Sequence, residues 1–360
     1  MKTVVLGSGN GGCAAAFDFA SHGHDVSLVD FESFPEQIEA IAASGGIRSD
    51  GDLKGFAPIA YSGHDFERAL DGAELIFAVG PAFSTEPFGA TCRSLLAAGQ
   101  TVIVCPSSCG GALAFKRAAG LGVRDTAVKV ADTSTLPYAV RIIEPGRIHV
   151  FLKLKGGLSL AAVPASETPA VLAKVADTYP DMIAAESVLF TALANANPVI
   201  HPAVTLGNAA QIERSGGDLL FYEEGTTPAV ARLMEAVDGE RRALGACLGL
   251  TILSDPESGV LQGYMTESSY YPGYMTAPGF RGIKAQSRLD HRYFNEDVGF
   301  GLVFYHHLGL QLGVPTPVSD AIIAVASVMM DRDYLAEAAR TTASLGIAGL
   351  SAAELRRLVA

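Results

Sequence analysis

The sequence predicts an α/β protein whose first half is a doubly wound, mostly parallel sheet and whose second half is all-helical. Three observations predict it. Short β-branched runs alternate with Ala-rich helical stretches up to about residue 185. A glycine-rich turn follows the first of those runs, and beyond Ser187 helical periodicity replaces the strand signals. A chain of 360 residues, 49% of them hydrophobic and 18% charged, can build two cores of its own. The expected division is 1–185 for the α/β domain and 186–360 for the helical one.

Thr3–Leu6 opens the chain as a buried strand, and Val26–Asp30, Leu75–Val79, Thr101–Cys105 and Ala127–Val130 repeat the pattern. Gly12–Ser21, Phe34–Ala43, Phe88–Ala98 and Leu113–Ala119 read as the helices between them. Strands separated by helices must run parallel, because the crossover returns the chain to the same end. Arg147–Leu154 and Leu158–Pro164 are expected to form a hairpin at the sheet's edge, turning at Lys155-Gly156-Gly157. Helical patterns then cover Val188–Ala194, Val204–Arg214, Pro228–Cys247, Phe300–Leu312, Val318–Met330 and Tyr334–Leu345. Residues 256–282 crowd glycine, proline and tyrosine and read as an irregular excursion.

Composition excludes several functions. A net charge of −12 argues against a nucleic-acid partner, which needs a concentrated basic surface. It leaves room for an acidic small molecule held by a few placed arginines. Five scattered cysteines lack zinc-ligand spacing and read as free thiols of a reducing compartment. The first residues run straight into a strand without signal-peptide features, and no apolar run reaches the ~18 residues of a membrane span. The expectation is a cytoplasmic protein.

Val4-Val5-Leu6-Gly7-Ser8-Gly9-Asn10-Gly11-Gly12 places a GxGxxG motif between a strand and a helix, the signature of a Rossmann-type dinucleotide site. Gly7 allows the tight turn, Gly9 lets backbone approach a pyrophosphate, and Gly12 lets the helix pack on the strand. Asn10 and Gly11 complete the loop, whose helix N-terminus favours phosphate. Asp30 ends the second strand eighteen residues past Gly12, where a carboxylate binds the adenine ribose and repels a 2′-phosphate. NAD is therefore expected over NADP. Loops at the same carboxyl edge of the sheet, Pro81-Ala82 and Cys105–Ser108, are expected along the pyrophosphate and nicotinamide, with Asp132 in a further polar loop.

Hydride transfer at a carbon bonded to N or O needs a proton donor or acceptor, and histidine serves best near neutrality. Of eight histidines, His201 has the most suggestive setting. Residues 195–202, Asn-Ala-Asn-Pro-Val-Ile-His-Pro, are too polar for a core strand and too interrupted for a smooth helix. Asn195 and Asn197 can orient a substrate beside His201. Farther on, Arg292 offers a planar fork for a carboxylate, and Asp297 could bond the far nitrogen of His201. The same charges also fit a plain helix start, with Glu296 and Asp297 answering the helix dipole.

The ensemble resembles the NAD/NADP octopine and nopaline dehydrogenase family, the opine dehydrogenases, and most closely their bacterial N-(1-D-carboxyethyl)-L-norvaline dehydrogenase type. The matching pieces are Gly7–Gly12, Asn195-x-Asn197-x-x-x-His201-Pro202, Phe221-Tyr222-x-Glu224-Gly225-x-Thr227-Pro228 and Arg292-Tyr293-Phe294-x-Glu296-Asp297-Val298. The resemblance implies reductive condensation of an amino acid with a 2-oxo acid through an imine, with NADH as hydride donor. It implies His201 as general acid/base, Asp297 as its orienting partner, and Tyr222 and Glu224 in the amino-acid-binding segment. Two positions depart from the family pattern: Phe280 replaces a usual tyrosine, and Asp132 replaces a frequent glutamate, which bears on amine selection. A homodimer is the expected assembly. The alternatives are a reductase of a simple 2-oxo acid, resembling ketopantoate reductase, and a dinucleotide sensor without catalysis. The former would normally use a lysine in its second domain, and the only lysines after residue 155 are Lys174 and Lys284, neither in a polar motif.

Overall fold

The computed structural model describes residues 1–360. Contacts divide the chain into one unit of Met1–Ala192 with Leu358–Ala360, and a second of Leu193–Arg357. No helix is long and apolar enough to cross a membrane.

The first unit holds twelve strands: β1 (Lys2–Leu6), β2 (Asp25–Val29), β3 (Gly46–Gly51), β4 (Gly55–Pro58), β5 (Tyr61–Gly63), β6 (Leu75–Val79), β7 (Thr101–Cys105), β8 (Lys129–Thr133), β9 (Tyr138–Glu144), β10 (Arg147–Lys153), β11 (Ser159–Val163) and β12 (Ile183–Ala184). Eight form the main sheet in the order β12-β11-β8-β7-β6-β1-β2-β5. All its pairings are parallel except β11 with β8. The central strands β1, β6 and β7 are almost wholly buried, which is why they read as continuous apolar runs.

The expected hairpin of Arg147–Leu154 with Leu158–Pro164 does not form. β10 instead pairs with β9, antiparallel across a Pro145-Gly146 turn, and with β3, in a second sheet ordered β4-β3-β10-β9. The Gly156-Gly157 bend carries the chain from one sheet to the other. Helix Asn10–Ser21 packs against strands of both sheets, which explains its run of buried residues from Gly12 to Phe19. Its one buried charge, Asp18, accepts from the Tyr138 hydroxyl and pairs with Lys153, each at 2.7 Å.

The second unit is helical. Its longest helix, Pro228–Cys247, is capped by the Thr227 hydroxyl and carries the fully buried Arg241. The Arg241 guanidinium donates to Asp238 at 2.6 Å and to the carbonyls of Leu193 and Leu253 at 2.5 and 2.7 Å. Asp238 also accepts from the Tyr270 hydroxyl and from Asp255 N–H, so one ion pair ties the 256–282 excursion to the bundle. Burial and the Asp238 charge push the buried Asp255 carboxyl well above the usual carboxylate range.

Two helical expectations change. Val204–Arg214 is two helices, Asn197–Gly207 and Ala209–Ser215, broken at Asn208, whose side-chain amide donates to the Val204 and Gly225 carbonyls. Tyr334–Leu345 forms turns and no helix. There the Asp333 carboxylate binds the N–H groups of Leu335 and Ala336, and Thr341 and Ser344 hydroxyls bind each other's backbone N–H. Side chains that satisfy local backbone in this way compete with a helix.

Candidate active site

In the first unit, the glycine loop closes the space between β1 and helix Asn10–Ser21. Gly7 has φ +103°, and a Cβ there would lie 2.1 Å from the Val79 carbonyl oxygen. A Cβ at Gly12 would meet Gly7 O at 1.8 Å, whereas at Gly9 nothing lies within 4 Å. The loop is thus packed where it must turn and open at the helix mouth, as a phosphate cradle requires. Asp30 follows β2 with its carboxylate on this loop, accepting from Ser8 N–H at 2.6 Å and the Ser8 hydroxyl at 2.8 Å. Gly11 and Asn10 begin the helix, where the Asn10 side chain accepts from Ile142 N–H at 2.7 Å and so fastens the loop to β9. Pro81 and Ala82 follow β6 at its carboxyl end, Pro81 capping a short 3₁₀ turn. These residues fit an NAD(P) dinucleotide: an open helix N-terminus for the pyrophosphate, and a carboxylate beside it for a ribose.

Asp132 is corrected by the structure. It is fully buried at the end of β8, and its carboxylate accepts from the Ser107 hydroxyl at 2.8 Å, Ala112 N–H at 3.0 Å and the Thr191 hydroxyl at 2.5 Å. A carboxylate so enclosed ties the loop after β7 and the start of helix Gly111–Ala118 to helix Val188–Ala194, and has no surface for an amine. Three of the cysteines are held as inert thiols: burial pushes Cys13, Cys92 and Cys105 up to about 12.

In the second unit, the Asn195–Pro202 stretch is helical from Asn197 on, contrary to its expected irregularity. Pro198 lies in the first turn, where a missing N–H costs no helical bond. The Asn195 side chain accepts from Asn197 N–H at 3.1 Å, steadying that turn. Pro202, one turn later, removes a single bond. His201 therefore projects from a rigid first turn and a half. Its exposure is 4%.

Four side chains surround it. The Asp297 carboxylate lies 2.7 Å from Nδ1, from a position 96 residues along the chain. Asp297 is the first residue of a π-helical turn, Asp297–Leu302. That turn approaches helix Asn197–Gly207 so closely at Gly301 that a Cβ there would lie 2.3 Å from Pro198 Cγ. The Tyr222 hydroxyl stands 3.3 Å from Nε2. Tyr293 stacks on the ring, and Phe221 meets it edge-on. With a carboxylate at Nδ1, that nitrogen carries the proton of the neutral ring, leaving Nε2 as the acceptor for Tyr222.

The electrostatics pull in opposite directions. Burial pushes His201 below the ordinary histidine range, Asp297 pulls it back up by charge and hydrogen bond, and Arg292 adds a smaller downward push. The net displacement is downward. Arg292 is half exposed, 3.8 Å from Glu296, with its guanidinium beside Tyr293. A cation in that position can take a carboxylate from solution. Burial holds the Tyr222 phenol far above its usual range, so it stays a neutral hydroxyl.

The structure thus brings together His201, Asp297, Tyr222 and Arg292, with Asn195 and Asn197 in the turn beneath. Glu224 stands apart: it is exposed, and its carboxylate accepts from Leu220 N–H at 2.7 Å, closing its own turn. Tyr293 was not assigned a role by sequence reasoning. Its neighbours in the chain quoted no signal that its ring would stack on a histidine from another helix.

Residues 184–330 match the family described as NAD/NADP octopine/nopaline dehydrogenase, alpha-helical domain. The chain is 35% identical to an "Opine dehydrogenase" of Arthrobacter sp. (strain 1C) over 360 residues, covering 99% of this chain and 98% of that one. Among solved structures, an octopine dehydrogenase in complex with NADH and agmatine superposes with a TM-score of 0.82 at 19% identity, covering 100% and 98% of the two chains. A ketopantoate reductase from Ralstonia eutropha JMP134 shares the fold with a TM-score of 0.60 at 19% identity, over 92% and 99%.

Proposed function

The chain belongs to the opine dehydrogenase family, and on that premise we propose that His201 and Asp297 carry the proton chemistry of an NADH-dependent reductive condensation of an amino acid with a 2-oxo acid. NADH, when bound, supplies the hydride that reduces the imine carbon. Gly7, Gly9, Gly11 and Gly12 shape the cradle for its pyrophosphate, with Pro81 and Ala82 lining the same sheet edge, and Asp30 takes the adenine ribose. Reduction consumes one proton, and His201 Nε2 is the atom that gives it. Asp297 holds the ring in the required tautomer and offsets the charge of the protonated form. The single observation that carries this reading is the buried 2.7 Å contact between His201 and Asp297. Arg292 holds a substrate carboxylate, and the Tyr222 hydroxyl guards Nε2 until substrate arrives. Asn195 and Asn197 support the turn beneath. The five free cysteines support a cytoplasmic setting.

A simple 2-oxo acid reductase resembling ketopantoate reductase would normally use a lysine in its second domain. Lys284 lies at the surface paired with Asp218 at 2.7 Å, and Lys174 is half-buried and donates to the Glu74 carbonyl at 3.2 Å. The two readings separate in one assay. Steady NADH oxidation is expected to require an amino acid and a 2-oxo acid together, scored as twenty amino acids against pyruvate, glyoxylate, oxaloacetate and 2-oxoglutarate. Full-rate oxidation with an oxo acid alone would reject the condensation.

The nucleotide preference follows from Asp30. NADH is expected to exceed NADPH in kcat/KM by at least tenfold, about 1.4 kcal/mol, because a 2′-phosphate would face the carboxylate. Asp30→Ser should narrow that gap, and a wild type that prefers NADPH would sink the assignment.

A further inference from the structure

The His201 imidazole lies nearly flat on the Tyr293 phenol, with ring centroids 3.9 Å apart and planes at 22°. His291 stands edge-on to the same phenol at 4.6 Å, and the Arg292 guanidinium is 5.9 Å from its centroid. Phe221 flanks the pair, 4.8 Å from Tyr293 and 5.9 Å from His201. Three basic side chains therefore share one electron-rich ring. Building on the reading of His201 as the proton-exchanging group, we propose that Tyr293 is a positioning residue: its ring face fixes the plane of the imidazole and stabilises the protonated ring.

The physical case has two parts. Asp297 and Tyr222 hold the imidazole at its two nitrogens, by hydrogen bonds that leave the ring able to tip about the line joining them. A flat stack blocks that tipping. The π face of a phenol also carries negative charge density, so it attracts an imidazolium more than a neutral ring. An aliphatic side chain would exclude water equally well without that attraction. The charged and titratable groups acting on His201 are otherwise Asp297, which favours the protonated ring, Arg292 and His291, which oppose it, and the Tyr222 hydroxyl. His291 is itself pushed down to about 4 by burial and by its neighbours Arg292 and His201, so it stays neutral and adds little repulsion.

The test reads His201 directly in the full-length, unliganded protein, by deuterium exchange at the histidine C2 carbon followed by mass spectrometry across a pH series. Tyr293→Leu should lower the His201 midpoint by about one pH unit, a tenfold smaller protonated fraction above it. Tyr293→Phe should keep the wild-type midpoint. Replacing Tyr293 with pentafluorophenylalanine keeps the shape but reverses the polarity of the face, and should lower the midpoint at least as far as leucine does, even where leucine perturbs folding. Wild-type midpoints in both the leucine and the fluorinated proteins would overturn the proposal. So would a shift in leucine alone, since packing would then account for it. Because no turnover is needed, this result stands apart from the activity of His201→Ala, which tests the underlying role.

Discussion

Replacing His201 with alanine is expected to lower kcat by roughly 10²–10⁴-fold, the usual contribution of a general acid/base. NADH affinity should change little, because the nucleotide contacts proposed above fall on the glycine loop and Asp30 in the other unit. Asp297→Asn preserves the shape at Nδ1 but loses the charge that offsets the protonated ring, so it should also be slow. Burial alone pushes His201 down, and Asp297 is the main group pulling it up. Without that pull the protonated ring forms only at lower pH. Reduction needs the protonated form, so its rate in the asparagine variant should begin to fall at a lower pH than in the wild type. Oxidation needs the neutral form and should extend to lower pH. If the two residues act as one unit, the double variant should be little worse than the worse single one. Losses that simply multiply would mean separate roles, and near-wild-type turnover in His201→Ala would end the mechanism.

The second large effect is on stability. Arg241→Met is expected to destabilise the protein by on the order of 3–5 kcal/mol, measured by denaturant unfolding. The ion pair with Asp238 gains little on balance, since both groups had to leave water. Breaking it is different. The variant leaves the Asp238 carboxylate fully buried with no cation, and strands the Leu193 and Leu253 carbonyls that the guanidinium had satisfied. Those carbonyls belong to the end of helix Val188–Ala194 and the loop before helix Asp255–Leu261, so the loss should reach the Tyr270 excursion as well. A change below about 1 kcal/mol would show that the cluster does not hold the bundle together.

Much of the fold was legible because its signals are local. β1, β6 and β7 were marked by β-branched, apolar runs, and Val188–Ala194 and Pro228–Cys247 by helical periodicity. The second sheet was not legible. β3 and β4 are short and partly exposed, and Tyr138–Glu144, which forms β9, gave no strand expectation. Giving β10 the wrong partner was a consequence, since a strand's run says that it pairs but not with which neighbour. At the site, His201 stood out by chemistry and Asp297 by the resemblance of its segment to a known family. Asp132 misled because a carboxylate in a polar loop looks the same whether it faces a ligand or is enclosed by the protein's own groups. Tyr293 was invisible in its role, since a stack between distant segments leaves no mark in either.

The wide turn at Asp297–Leu302 sets which way Asp297 faces. An ordinary α-helix gains one residue in such a turn, and each residue rotates the side chains before it by about 100° relative to those after it. The helix from Val303 to Leu312 can therefore keep its packing while Asp297 is swung round to meet the imidazole. Removing one residue between Val298 and Leu302 would regularise the helix and turn Asp297 away from the imidazole by about 100°.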